Sequence, residues 1–228
     1  MTGLAICDGT NVPDHRTKVG AERRLRTRHK LLQTAFQLYA EHGVDEPVIE
    51  RVIKHAGLSR GTFYNHFRCE RELFMSVAAE LSNNVIEAVD PKVLQHNNPA
   101  ARVACGVTLC IKLACRYPLI AAFLAKGGAQ AVFAGGSAIE AITRDVHMAQ
   151  QAGLFGIEQT PMAVDLILGP VLCTFATLLQ HPLDHTYLSS LVTAILRSLG
   201  MSNTDAASIA AIDFGDPHPD ENSLFIGL

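Results

Sequence analysis

Residues Gly57–Phe67 read GLSRGTFYNHF. Gly57 breaks a preceding apolar-periodic segment, and Ser59 stands where a hydroxyl caps a following helix. At 3.6 residues per turn, Phe63 and Phe67 share one face. Arg60, Thr62, Tyr64, Asn65 and His66 are spread over the rest. A buried helix has no use for those polar groups, and a solvated helix has no use for the aromatics. The segment is built to pack on one side and to touch a polar partner on the other.

The flanking sequence places this segment in a three-helix unit. Leu32, Ala35, Phe36 and Tyr39 recur at i, i+3, i+4, i+7 and predict a first helix from about Arg23 to His42, closed by Gly43. Ile49, Val52, Ile53 and Ala56 repeat the pattern and predict a second helix beginning near Pro47, with Asp45 or Glu46 at or beside its cap. The third helix runs from Arg60 to about Phe67. About three residues including Gly57 join the second and third helices, which is the spacing of a helix-turn-helix.

A DNA major groove about 12 Å wide admits one α-helix. Arg60 lies in the leading turn, where recognition helices meet base edges. Gly61 lets the backbone approach closely, and Ser59 with Arg60 presents the helix N-terminus to anions. Thr62 and Tyr64 carry hydroxyls for phosphate oxygens, His66 a ring N–H, and Asn65 shares the polar face. Arg68 and Arg71 follow as further candidate contacts.

Charge distribution agrees with a polyanion partner at this end. Residues 1–72 hold 12 Lys/Arg and 9 Asp/Glu, a balance of +3 in a chain of net charge −3, so the remainder carries −6. A basic front on an acidic body suits DNA at the front only, although a solvated charged face has the same signature. The basic run AERRLRTRHK (21–30) likewise has two readings. It is an arm gripping DNA, with Arg26 and Arg28 as contacts, or a solvated helix start.

On these residues the chain resembles the TetR family of bacterial transcriptional regulators. RTRHKLLQTAFQLYAEHGV is similar to the family's first helix, and IERVIKHAGLSRGTFYNHFRCERELF to its helix-turn-helix and the start of the fourth helix. The resemblance implies an all-α homodimer with a small DNA-binding domain and a larger ligand-binding domain. It implies a cytoplasmic repressor that binds a palindromic operator of double-stranded DNA and is released by a small molecule. DLILGPVLCTFATLLQHPLD and YLSSLVTAILRSL resemble the paired helices of the family's dimer bundle. Two positions depart from the pattern. Pro47 and Val48 stand where a Thr usually caps the second helix and meets phosphate. Glu70 stands where a Lys is usual, and a carboxylate there repels phosphate.

The expected organisation is a leader (1–20), the DNA-binding domain (21–70), a helical ligand-binding and dimerisation domain (71–201) and a tail (202–228). The fourth helix is expected over about 71–89, stopped by Asp90-Pro91. Further helices are expected at about 99–116, 118–126, 136–153, 161–180 and 184–199. The tail is expected to be irregular, with Leu224, Phe225 and Ile226 docking back. Met162–Leu179 is very apolar but contains Asp165 and Gly169-Pro170, so it reads as a bundle helix and not a membrane span. Ile167–Leu179 and Leu188–Leu199, apolar around their helices, suit a dimeric four-helix bundle.

Few charges interrupt the C-terminal helices, which predicts an apolar pocket and a hydrophobic or aromatic effector. The candidate lining is Leu109, Leu113, Phe123, Met148, Phe155, Met162, Cys173 and Phe175, with Arg116 and His147 to orient a polar group. Each of these residues taken singly also reads as ordinary core or surface. The six cysteines (Cys7, Cys69, Cys105, Cys110, Cys115, Cys173) form no CxxC pair, so neither a metal nor another cofactor is expected. Cys105, Cys110 and Cys115 read as small core residues. The N-terminus lacks the pattern of a signal peptide. An enzyme is disfavoured, because no nucleophile elbow, HExxH, P-loop or dinucleotide fingerprint occurs. The remaining alternative is a ligand sensor or interaction protein of the same fold with weak or lost operator binding.

Overall fold

A computed structural model describes residues 15–228, with side chains from Val19 onward. The expected leader (1–20) and Cys7 thus lie mostly or wholly outside the described residues. Ten helices, and no strand among the described residues, make up the fold: α1 (His15–His42), α2 (Ile49–Ala56), α3 (Arg60–Tyr64), α4 (Glu70–Val93), α5 (Pro99–Arg116), α6 (Pro118–Gly135), α7 (Ser137–Gln151), α8 (Thr160–Leu178), α9 (His185–Ser198) and α10 (Asn203–Ala210).

The first three helices bury the faces that periodicity marks. Leu32, Ala35, Phe36 and Tyr39 of α1 share one core with Val52, Ile53 and Ala56 of α2 and with Phe63 and Phe67. Helix α1 begins at His15, ahead of the expected Arg23, and so takes in the end of the expected leader. Its C-terminus packs on α6 and on α4. Four rings form that joint. Phe123 of α6 lies 5.5 Å from Phe36, 6.3 Å from Tyr39 and 5.7 Å from Phe74 of α4, centroid to centroid. Tyr39 meets Phe74 edge-on at 5.4 Å. Lys126 Nζ completes the joint by donating to the carbonyls of Ala40 (2.6 Å) and Glu41 (2.7 Å) at the end of α1. Those carbonyls are the orphan acceptors and negative pole of the helix, so a cation satisfies them.

Several boundaries differ from expectation for identifiable reasons. Pro91 does not stop α4, which continues to Val93. Pro91 forfeits the bond to the Glu87 carbonyl, and burial of Val89 and Val93 on one face carries the helix past it. Helix α6 extends past 126 to Gly135 through a break at Gly128, whose φ of 54° and ψ of −148° are open only to glycine. The tail contains α10, capped by Ser202, whose Oγ accepts from Asp205 N–H (3.1 Å).

Beyond α10 the tail is irregular and docks as the apolar residues suggest. Leu224 and Phe225 are buried and Ile226 packs against the core. Leu224 N–H donates to Asn84 Oδ1 of α4 (2.9 Å), and His218 N–H to the Ala88 carbonyl (3.2 Å). Gln33 of α1 donates to the Ile226 carbonyl (3.0 Å), and Lys112 of α5 to the Gly215 carbonyl (2.6 Å). The tail therefore straps α1, α4 and α5 together. Phe225→Ala is expected to lower the unfolding free energy by about 3 kcal/mol, read by urea denaturation. A loss under about 1 kcal/mol would show a passive covering instead of a strap.

Candidate nucleic-acid interface and ligand cavity

Gly57 closes α2 in the left-handed conformation (φ 63°, ψ 37°), with Leu58 N–H returning to the Ile53 carbonyl (3.1 Å). Ser59 is extended and its Oγ accepts from Thr62 N–H (3.1 Å), starting α3. Regular α3 ends at Tyr64, three residues short of expectation. Phe67 N–H still bonds the Phe63 carbonyl (3.1 Å), so the turn continues while both phenyl rings stay buried.

Around those rings the polar residues face outward. Arg60, Gly61, Tyr64, Asn65, Arg68 and Arg71 are exposed, and Thr62 and His66 are half-buried. Thr62 Oγ1 lies 2.9 Å from Ser59 Oγ, so both hydroxyls are partly used within the cap. Arg60 Nη2 meets Glu50 Oε1 at 2.7 Å, and Arg51 Nη1 meets Glu46 Oε2 at 3.0 Å. Arg28 lies over the Phe67 ring (5.3 Å), which draws the basic half of α1 beside the end of α3. Burial first, and then the nearby Arg24 and Arg28, push the His66 imidazole below its ordinary pKa. Arg26 is exposed on the same helix. One surface thus gathers the α3 polar face with Arg24, Arg28 and His66, while Arg26, two positions from each on α1, points to another side of that helix.

A second feature is a partly open cavity of about 130 Å³ between α4, α5, α6, α7 and α8. Its walls are apolar and rich in small residues: Ala78, Gly106, Ala131, Ala138 and Ala141 face Val85, Val89, Val103, Ile142, Ile167 and Phe175. One end is charged. Arg144 is forked onto Asp90 (Nη1–Oδ2 3.0 Å, Nη2–Oδ1 2.7 Å) and also bonds Asp145 (Nε–Oδ1 3.0 Å, Nη2–Oδ2 2.8 Å). These bonds, Asp90 first, hold the guanidinium above its ordinary pKa. Arg102 stands 3.6 Å from Asp145 Oδ1 and donates through Nε to the His96 carbonyl (2.7 Å). Two carboxylates and two guanidiniums balance, and Asp90, Arg102 and Asp145 reach the cavity wall.

The family model described as bacterial regulatory proteins, tetR family, matches residues 31–77, which span the helix-turn-helix. Over these residues the chain is similar to the tetR family. Over 59 residues it is 37% identical to the probable acrEF/envCD operon repressor of Escherichia coli K12, covering 26% of each chain. Over 63 residues it is 33% identical to the HTH-type transcriptional repressor Rv1474c of Mycobacterium tuberculosis, covering 28% of this chain and 34% of the relative. The matched stretch is therefore about a third or less of these curated relatives' length. The likeness to the solved structure of RolR in complex with resorcinol is longer: TM-score 0.60 at 25% identity, over 86% of this chain and 98% of RolR.

The two departures from the tetR-family pattern meet in space. Val48 is the cap residue of α2 and makes no side-chain cap bond, and neither Asp45 nor Glu46 serves as that cap. Instead Glu70 Oε1 accepts from Val48 N–H (3.1 Å). The carboxylate expected to repel phosphate therefore satisfies the N–H of the cap residue itself, while the N–H groups one turn on, which a Thr hydroxyl would have served, receive no side-chain cap.

Among the ten candidate ligand residues, Phe175 alone lines the cavity. Leu109 and Leu113 are buried on another face of α5, and Phe123 belongs to the aromatic joint. Arg116 lies over the Tyr117 ring (5.5 Å). His147 and Met148 face outward on α7, Met162 and Cys173 are exposed on α8, and Phe155 is buried in the α7–α8 connection. The reason is steric: bulky residues fill space, and a cavity forms where side chains are small. Asp90, Arg102, Arg144 and Asp145 were not singled out from the sequence. A signal existed, since Ala138, Ala141, Ile142 and Asp145 fall at i, i+3, i+4, i+7 and place a carboxylate on the buried stripe of α7. Cys105 and Cys110 behave as core thiols, with burial pushing Cys110 up to about 12, but Cys115 is exposed.

Tyr64 is 52% exposed, its ring set edge-on against Phe63. Tyr64→Phe removes only the hydroxyl and is expected to weaken binding to a selected DNA site about tenfold, by fluorescence anisotropy, with the melting temperature unchanged. Equal affinity would show that this edge of α3 faces away from the phosphates.

Proposed function

We propose that this protein is a dimeric, DNA-binding transcriptional repressor that a small, uncharged, ring-sized ligand releases from a palindromic operator. The observation that carries the reading is the joint use of α4 and α6. Both line the cavity, and both hold α1. On α6, Leu124, Ala131 and Val132 face the cavity, while Phe123 and Lys126 grip α1. The break at Gly128 separates Lys126 from Ala131, so the two halves of α6 tilt independently. A ligand that displaces the distal half or the C-terminal half of α4 shifts α1 and the recognition helix with it. Paired half-sites about 34–36 Å apart tolerate little such movement.

The chemistry of the cavity selects the effector. An apolar space of about 150 Å³ accommodates a benzene-sized molecule, and this one is of that order. The charged end is already neutral as a set, so a ligand bringing a net charge meets an uncompensated desolvation cost. A hydroxyl on a ring fits, donating to Asp90 or Asp145 and accepting from Arg102. The resorcinol bound to RolR has that chemistry. The protein is a regulator, not an enzyme, and its place is the cytoplasm. The second copy covers the outer faces of α8 and α9, where Met162, Gly169, Cys173 and Ala176 form an exposed stripe. Helices α6 and α8 are long and apolar enough to cross a membrane, but as helices of this bundle they pack against each other and, respectively, on α1 and α4 and on α5 and α7. One specific observation favours the alternative of a sensor with weak operator binding: Glu46 and Glu50 neutralise Arg51 and Arg60 on the proposed DNA face.

The test is selection of random DNA on the purified protein, repeated with a panel of neutral mono- and dihydroxybenzenes. A palindrome that is enriched, and released by a panel member, is expected. Asp90→Asn is expected to keep the palindrome and lose at least tenfold in sensitivity to that compound. No enriched sequence at low salt would give the sensor reading the lead.

A further inference from the structure

We propose that Glu50 is the positioning residue for Arg60 and that the pair sets the preference for one guanine in each half-site. The inference rests on the DNA-binding reading above. Arg60 is the first residue of α3 and Glu50 the second of α2. The turn between the helices brings both onto the end of the motif from which leading recognition residues meet base edges. Their contact is 2.7 Å although the side chains are 70% and 65% exposed. An ion pair so exposed adds little to stability, so the fold gains little from it.

The pair does something definite for Arg60. The guanidinium has five N–H donors in one plane, and Glu50 Oε1 engages Nη2 alone. The other donors remain in a plane whose direction the carboxylate fixes. Guanine offers O6 and N7 side by side, which a planar fork of two N–H groups matches. A fixed fork discriminates by angle as well as by donor pattern. The carboxylate also cancels the charge of Arg60, so the residue contributes little to attraction for phosphates of any sequence. Arg24 and Arg28, beside His66 and Phe67, have no carboxylate within ion-pair distance among the described residues, and they supply that sequence-independent attraction. The surface thus divides its arginines into those that hold DNA and one that reads it.

The test uses the selected operator and variants with each half-site base pair changed, measured against wild type, Glu50→Gln, Glu50→Ala, Arg60→Ala and the double alanine variant. Discrimination at one guanine is expected to fall about tenfold in Glu50→Ala and in Arg60→Ala. The double variant is expected to fall no further than Arg60→Ala, because the two residues act as one unit. Glu50→Gln keeps the size of the side chain and covers the case in which the alanine variant folds poorly. It is expected to lose discrimination while its affinity for unrelated DNA holds or rises. Retained discrimination, with affinity rising equally on every sequence, would overturn the proposal and leave Glu50 as a repelling charge. If wild type selects no sequence, the DNA-binding reading fails and the assignment with it. If wild type selects an operator and Glu50 variants keep its consensus, only the assignment fails.

Discussion

The insertion of Phe123 between α1 and α4 is the contact on which the arrangement of the two parts depends. Phe36 and Tyr39 come from the recognition unit, Phe74 from the helix that leaves it, and Phe123 from the helix that lines the cavity. Each aromatic pair adds about 0.5–1.5 kcal/mol beyond the area it buries. The larger effect is geometric, because tilted and edge-on rings in close contact have few alternative packings. Burial, and then the nearby Glu70 carboxylate, push the Tyr39 hydroxyl well above its ordinary pKa, so it stays a neutral donor. Its reach to the Glu70 carbonyl is 3.4 Å. Without this joint a movement of α6 would have nothing rigid to push.

Around the joint, polar groups serve as fasteners at helix ends. Lys126 closes the end of α1, Glu70 the start of α2, Ser59 the start of α3, and Asn98 accepts from Ala100 and Ala101 N–H at the start of α5 (2.9 and 3.3 Å). Each supplies a partner to backbone groups that no helix can satisfy internally. The cavity has the opposite design. Small side chains withhold contacts there, and the ion pairs are gathered at one end, among two aspartates and two arginines. Such a space is maintained because the surrounding layers close over it, not because its own lining is cohesive.

How much of this was readable beforehand depended on what kind of feature each residue made. The helix-turn-helix was legible because periodicity, a glycine and a serine cap all agree over eleven residues. The docking of Leu224 and Phe225 was legible because apolar residues in a polar tail have nowhere else to go. The cavity was not. Periodicity reports which face is buried but not whether that face is filled, and bulky Leu109, Leu113 and Phe123 drew attention from the small residues that make the space. Asp90 read as a stop signal beside Pro91, although tertiary packing carried the helix past it. Glu70 read as a fault, since its partner Val48 lies 22 positions away and only the fold brings them together.

The balanced charge at the end of the cavity has a consequence outside the protein. A binding space that rejects net charge and admits one ring favours molecules that a lipid bilayer does not hold back. Such molecules need no transporter, and their level inside a cell follows the level outside. On the proposed function, a regulator with this lining would respond to the surroundings of the cell as directly as to its metabolism, with no separate receptor at the surface.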